Sequence, residues 1–484
     1  MMYEVDTTVE RFSAADTERV YDALPLVPAR RGALMGMQPS EFRWWSEPRK
    51  FAADFRTALE TDLLQVPAQW MVVSLSLADV IDTLSPRPYP RTPVVLVDHD
   101  LRINTVPRGG DEDHSFVALD VPVVGESVDR LRTSKKFIVF ACAEESLPPV
   151  FRLSIREQKV FVTERANEVF LAHRGIRTRP RPSAHYLDGC TELMRRVREG
   201  DGLASISDLA VEERDAHGFT PLHHAVEVGN VAAARRLLEA GADADALSSE
   251  RVSPADVASF VGSEECLSLL EERGANLSAG MGAAQSAALS GQLSICLDIC
   301  RKSTASLPPA LVIAIKEGHS DLAVRLVELA ADHVSFAEAM KVALMRRRAD
   351  VALAILSRTG LPETESERAT MLQAAVRTCA IPLVEAMLDL GVQVDVVASN
   401  KTALEELVGF KVREPETIME MVRFLLERGA DPARSGGPKG RSAIEIVEKE
   451  ERELAADPYA TEAERDALRH LADLLRQPRT VGGT

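Results

Sequence analysis

The chain has 484 residues, 45% of them hydrophobic, with a formal net charge of −17. That length leaves room for two or three domains, and the apolar fraction excludes wholesale disorder. The acidic balance argues against a general nucleic-acid or anionic-membrane binder and leaves a basic protein partner open.

No apolar run reaches the roughly 18 residues that span a bilayer; the best, Trp70 to Ile81, holds serines and an aspartate. Residues 1–10 carry acids and no apolar core, so no secretory signal is expected. Six cysteines without framework spacing fit reduced thiols in a cytoplasmic protein.

From the start of the chain, strand-like runs prevail. Residues 70–77, 94–97, 116–124, 137–141, 150–155 and 159–163 are rich in Val, Ile and Phe. Several alternate apolar with polar, which suits half-buried strands. Helical patches are predicted at 48–64, 77–83 and 164–173. The pattern predicts an α+β domain over 1–182 with a mostly antiparallel sheet. Residues 150–155 and 159–163 read as a hairpin across Arg156-Glu157-Gln158, after which Thr163 is placed to cap a helix starting at Glu164.

A composition break marks the end of this region. Seventeen of 23 aromatic residues lie before residue 190. Residues 1–190 hold 24 Lys+Arg against 27 Asp+Glu, a net of −3, which leaves −14 of the total −17 to the remainder. Arg179-Pro180-Arg181-Pro182-Ser183 beside the break reads as an extended linker.

Beyond it the apolar period becomes helical, in paired short segments split by glycine or polar turns. Residues 218–243 carry the clearest unit. A shift of 33 lays Pro221 on Pro254, Ala225 on Ala258, Gly229 on Gly262 and Gly241 on Gly274. Thr220 is placed to cap the first helix, Pro221 suits its first turn, and Gly241 suits a left-handed end of the second. Upstream, Gly189-Cys190-Thr191 and Gly200 repeat the offsets in a degenerate form. Downstream, Gly291 and Gly318 mark shortened units. Helix pairs follow near 336–358 and 367–390, a lengthened connection near 409–415, and a polar, charge-rich closing pair near 442–476, as a terminal cap requires.

That period and those residues resemble the ankyrin repeat. The resemblance implies an all-α ankyrin-repeat solenoid of about nine helix pairs over 187–478, following the α+β domain. It further implies partner contacts at the turn tips and the exposed side of the first helices, which fall here on Ala216, His217, Phe219, Glu227, Val228, Glu250, Val252, Phe260 and Val261. Phe219 and Phe260 would be aromatic contact anchors.

The amino-terminal half carries a second resemblance. Pro149 to Leu153, Lys159 to Glu164, Val169-Phe170 and Gly175-Ile176 are similar to the closing strand–strand–helix of a bacterial immunity-protein family from polymorphic toxin systems. The earlier Val72-Val73-Ser74-Leu75-Ser76-Leu77 segment agrees, and the resemblance covers about 40–180. It implies a protein that binds and silences a cognate toxin, a basic nuclease being suited to the acidic array.

Sharper chemistry finds little footing. Asp98-His99-Asp100 sit on adjacent strand positions that diverge, and Asp111-Glu112-Asp113-His114 lack an EF-hand layout. Cys296 and Cys300 share a helix face without further ligands and read as core. His223 and His224 read as structural links in the Thr-Pro-Leu-His segment. Arg346-Arg347-Arg348 lies at a helix end, where cations are favoured. No Walker loop, dinucleotide fingerprint, nucleophile elbow or Cys-x-x-Cys pair occurs. The expected function is protein binding without catalysis, cofactor or metal. The alternatives are a general adaptor, or an amino-terminal enzyme whose array recruits substrate.

Overall fold

The structure is a computed structural model. It describes residues 71–97, 116–119, 128–133, 138–143, 146–153, 156–173, 176–181, 183–200, 211–331, 334–409, 415–437, 440–456 and 462–477, with shorter pieces at 2–7, 49–51, 63–64, 103–104, 121 and 123–124. The chain divides into two compact units. One comprises 1–128, 136–183 and 393–484; the other comprises 129–135 and 184–392.

The first unit contains strands β1 (Met2–Thr7), β2 (Arg49–Phe51), β3 (Leu63–Leu64), β4 (Met71–Ser74), β5 (Arg91–Val97), β6 (Ile103–Asn104), β7 (Phe116–Leu119), β8 (Val123–Val124), β9 (Ile138–Phe140), β10 (Val150–Leu153), β11 (Arg156–Val162) and β12 (Ile176–Arg181). One sheet runs β12-β1-β11-β10-β8 and another β2-β5-β7-β4-β3, with β6 on β5. These pairings are antiparallel except β2 with β5 and β8 with β10.

Helix α1 (Leu75–Leu84) follows β4 directly. The run expected as a strand over 70–77 therefore stops at Ser74, whose hydroxyl accepts the Leu77 N–H at 3.3 Å and opens the helix. The 150–163 hairpin forms, with Phe151 opposite Phe161, although β11 already begins at Arg156 in the predicted turn. Helix α2 (Glu164–Leu171) starts where expected, but the Thr163 side chain makes no capping bond. Most of the expected 48–64 helix lies outside the described residues, and its ends are strands β2 and β3.

The proline-bearing segment predicted as a linker is strand β12. It pairs with β1 from Met2↔Arg181 to Thr7↔Ile176, with Pro180 opposite Tyr3. Its place at the end of the sheet explains the tolerance, because an edge strand leaves room for a residue without an N–H. Met71, Val73, Leu77 and Ile81 from β4 and α1 share a core with Val162, Ala166 and Phe170. A second core joins Phe140, Phe151 and Phe161, the rings 6.3 and 6.2 Å apart in sequence.

The second unit is a helical solenoid. It begins with α3 (Glu192–Arg198), capped by Thr191. Six helix pairs follow: α4 (Pro221–Glu227) with α5 (Val231–Glu239), α6 (Pro254–Val261) with α7 (Glu264–Glu272), α8 (Ala283–Ser290) with α9 (Leu293–Lys302), α10 (Leu307–Glu317) with α11 (Ser320–Leu329), α12 (Ala337–Met345) with α13 (Ala349–Thr359), and α14 (Glu365–Val376) with α15 (Ile381–Asp389). The first helices α3, α4, α6, α8, α10, α12 and α14 stack in series; among the second helices α5 packs on α7, and α9, α11, α13 and α15 follow one another.

One small residue recurs through the stack. Ala225, Ala258, Ala287, Ala314, Ala343 and Ala375 are all fully buried, each four residues before a left-handed turn position. Gly229, Gly262, Gly291 and Gly318 hold that position with φ of 68°, 85°, 78° and 88°. In the next two units Arg347 and Cys379 take it at 57° and 55°. The alanine lets first helices approach, and the positive φ ends each of them.

The first unit also contains the closing helices α16 (Ala403–Val408), α17 (Pro415–Glu427), α18 (Ala443–Ala456) and α19 (Glu462–Arg476). Here α16 packs on α17 and α18, and α19 packs on α17 and α18. The middle of the predicted longer connection, 410–414, lies outside the described residues.

Candidate functional site

The Thr-Pro-Leu-His-His segment fixes the geometry at the front of the solenoid. Thr220 precedes α4, and its N–H donates to His223 Nδ1 at 3.1 Å. The opposite ring nitrogen, Nε2, then carries the proton and donates to the Val252 carbonyl of the next repeat at 3.0 Å. Burial pushes the His223 pKa down to about 4, against the opposing hydrogen bond to Val252. The same helix position performs the same linking task in later repeats with other chemistry. Asp256 accepts from Ser253 N–H and Met281 N–H at 2.9 and 3.0 Å, and Glu405 accepts from Thr402 N–H and Gly436 N–H at 2.7 and 2.9 Å.

His224 faces a different cluster. Arg198 Nη1 stands 3.2 Å from Nδ1. A guanidinium only donates, so Nδ1 accepts and Nε2 donates its proton to Asp215 Oδ2 at 3.0 Å. Asp215 also accepts the N–H groups of His217 and Phe219 at 2.8 Å each. Burial would raise its pKa, yet these hydrogen bonds, led by that from His224, hold it below the usual carboxylate value. Cys190 Sγ lies 3.8 Å from His224 Nε2, and burial, followed by the charge of Asp215, pushes its thiol up.

Ligand-type atoms of Cys190, Asp215 and His224 all lie within 4.8 Å of one another, the one such trio among the described residues. The ring proton of His224 is already given to Asp215, and Arg198 holds the other nitrogen. The trio is thus satisfied as a hydrogen-bonded cluster beneath a cation.

Glu227, at the end of α4, is the focus of the site. Arg132 reaches it from the 129–133 turn, which belongs to the same unit. Arg132 Nη1 and Nη2 donate to Glu227 Oε1 and Oε2 at 2.8 and 3.0 Å, a bidentate pair. Arg198 Nη1 adds a third bond to Oε2 at 2.5 Å. The Arg132 side chain has no exposure and that of Glu227 has 15%. Its guanidinium carbon lies 3.9 Å from the Phe219 ring centroid and 5.8 Å from that of Tyr186. Burial acts against the charge of both partners; the hydrogen bonds and charges of Arg132 overcome it at Glu227 and hold that pKa down to about 2. At Arg132 burial is likewise outweighed by Glu227 and Asp129, and the pKa rises.

The expected contact residues divide by exposure. Ala216, Val228, Glu250 and Val261 are exposed, with Val228 and Val261 at 40% and 38%. Val228 and Val261 occupy the same position in successive repeats. Phe260 is half-buried. Phe219 and Val252 are fully buried and His217 is 7% exposed. Phe219 lies under Arg132 and beside the two histidine rings, at 4.9 and 6.2 Å, instead of facing solvent as an anchor. His217 Nε2 is tied to the His185 carbonyl at 3.0 Å.

Other singled-out residues are structural. Cys296 and Cys300 are buried in α9; Cys296 Sγ donates to the Ala284 carbonyl at 3.4 Å, and contact with Cys300 together with burial pushes its thiol up. Arg346 directly follows α12 and Arg348 directly precedes α13, the latter without a side-chain capping bond. Residues 98–100 and 111–114 lie outside the described residues. No repeat spacing points to Arg132, which is 95 residues from Glu227, or to Tyr186. Arg198 could have been found, because Gly200 aligns with Gly229 and so places Arg198 at the Glu227 position of the preceding unit.

Residues 193–281 match the family model "Ankyrin repeats (3 copies)". The crystal structure of the human ASB11 ankyrin repeat domain is similar at 20% identity over 50% of this chain and 100% of that chain, with a TM-score of 0.31. No curated protein matches the chain. Residues 193–281 thus contain ankyrin repeats, within the helical solenoid of the second unit, and such repeats point to a protein-binding role. Among the described residues no helix is long and apolar enough to cross a membrane.

Proposed function

We propose that the chain is a non-catalytic binding protein whose solenoid engages a basic protein through the first-helix ends and turn tips of its leading repeats. The observation that carries this reading is the repeated exposed position of Val228 and Val261 on a scaffold matched to ankyrin repeats, in a chain of net charge −17. Apolar side chains in register on a rigid ledge supply contact area at low ordering cost.

The test is site-specific photo-crosslinking from Val228 and Val261 in the full chain. A discrete crosslinked protein is expected, and a Val228→Glu/Val261→Glu double variant should lower its affinity at least about tenfold. Unchanged affinity would remove this ledge from the interface. A narrower reading, immunity against a cognate toxin, rests on the amino-terminal pattern over 40–180, with that region as an α+β domain. Co-expression with candidate toxins tests it, and loss of protection in the Val228→Glu/Val261→Glu variant would connect it to the array.

A further inference from the structure

The 129–133 turn satisfies its own backbone. Asp129 Oδ1 accepts the N–H groups of Leu131 and Arg132 at 3.0 Å each, and Thr133 N–H donates to the Asp129 carbonyl at 3.1 Å. Asp129 Oδ2 also accepts from Arg132 Nη1 at 2.6 Å and so aims the guanidinium. The turn places two arginines against carboxylates of the repeats, with Leu131 buried between them. Arg132 enters the cleft formed by Glu227, Phe219 and Tyr186, and Arg130 donates to Glu317 Oε2 at 2.6 Å, at the end of α10. Glu227 and Glu317 both lie at the ends of first helices, with α6 and α8 between them in the stack.

This is the geometry of side-chain recognition: a planar cation clamped by a carboxylate fork and laid over an aromatic face. The Arg132 Nε has no hydrogen-bond partner although it is buried, so the guanidinium is held by the Glu227 fork, the Phe219 ring and the turn's own Asp129. A turn whose backbone bonds close on Asp129 and whose arginines meet host carboxylates can be exchanged for another arginine-bearing segment.

We propose that Glu227, Phe219 and Tyr186 form an arginine-binding slot, that the 129–133 turn is its resident occupant, and that a protein partner docks by placing its own arginine there and displacing the turn. The proposal rests on the protein-binding reading above and adds the chemistry of the partner. The intramolecular occupant lowers apparent affinity by the fraction of time that it fills the slot. A lysine cannot substitute, because an ammonium lacks the fork and the flat face.

The probe is a capped peptide of the sequence at 129–133, Asp-Arg-Leu-Arg-Thr, with a control peptide in which both arginines are lysine. Binding to the full chain is measured by calorimetry for wild type, Arg132→Ala and Arg132→Lys. The arginine peptide is expected to bind both variants at least about tenfold more tightly than wild type, and the lysine peptide to bind none. If neither variant gains affinity, or if both peptides bind alike, the slot is not a recognition site. Arg132→Lys keeps a cation beside Glu227, so it reports even where Arg132→Ala fails to fold. A crosslinked partner that binds wild type and both variants equally would overturn the slot while leaving the protein-binding reading intact. Peptide binding without any protein partner would retain the slot and overturn that reading.

Discussion

At the scale of single residues, stability concentrates in two buried links. Removing Arg132 strips Glu227 of its bidentate partner and leaves Arg198 to hold a side chain of 15% exposure. Breaking such a pair from one side costs about 3 kcal/mol. Arg132→Ala is therefore expected to lower unfolding stability by about that amount in urea titrations, with Arg132→Lys intermediate. His223 gives a pH signature. Its folded pKa near 4 lies below the ordinary 6.5, so the unfolded chain takes up the proton first as pH falls. Stability is then lost from about pH 6.5 down to about pH 4. Between pH 7 and 5 the loss should approach about 2 kcal/mol. Glu227 adds a second loss with the same sign between about 4.5 and 2, because its folded value is depressed. Asp256 works the other way, since burial raises its folded pKa. A His223→Gln variant should be less stable at pH 7 yet lose less stability between pH 7 and 5, which denaturant midpoints at the two pH values will show.

At the scale of elements, the left-handed turn after each first helix is the recurrent joint. Gly218 is a related case with no slack: a Cβ there would stand 2.7 Å from the Ser249 backbone nitrogen, at a φ of +80°. Gly218→Ala should cost roughly 1–3 kcal/mol. Arg347 bears the corresponding strain already, and Arg347→Gly should stabilise by up to about 1 kcal/mol in thermal melts. Much at this scale was legible in the sequence. The spacing of Ala225 and Ala258 to Gly229 and Gly262, and the Thr220-Pro221 helix start with Pro254 aligned on Pro221, predicted the leading pairs because their causes are local. Arg347 and Cys379 masked the same joint in later units. Strand β12 escaped because Pro180 and Pro182 imitate a linker, and only its pairing with β1, far away in sequence, makes it a strand. The burial of Phe219 escaped for a similar reason: its cover, Arg132, is supplied by a distant turn, and periodicity carries no information about such contacts.

At the scale of the whole molecule, each solenoid repeat is stabilised chiefly by its neighbours. The six cysteines offer a readout of this. Cys142 and Cys379 are partly exposed, while Cys190, Cys266, Cys296 and Cys300 are buried. In the native protein Cys142 and Cys379 should react first with a thiol reagent. The buried thiols of Cys266, Cys296 and Cys300 should become reactive together in rising urea, because their repeats are contiguous. The interrepeat ties described above also have a direction. His223 offers a proton to the Val252 carbonyl two residues before α6, whereas Asp256 receives one from the Met281 N–H two residues before α8. These two successive seams therefore mate like plug and socket of opposite gender. A tandem duplication that copied the histidine module ahead of α8 would bring a ring N–H against an amide N–H. Growth or shuffling of this array is restricted to cuts that preserve donor-to-acceptor order at every seam.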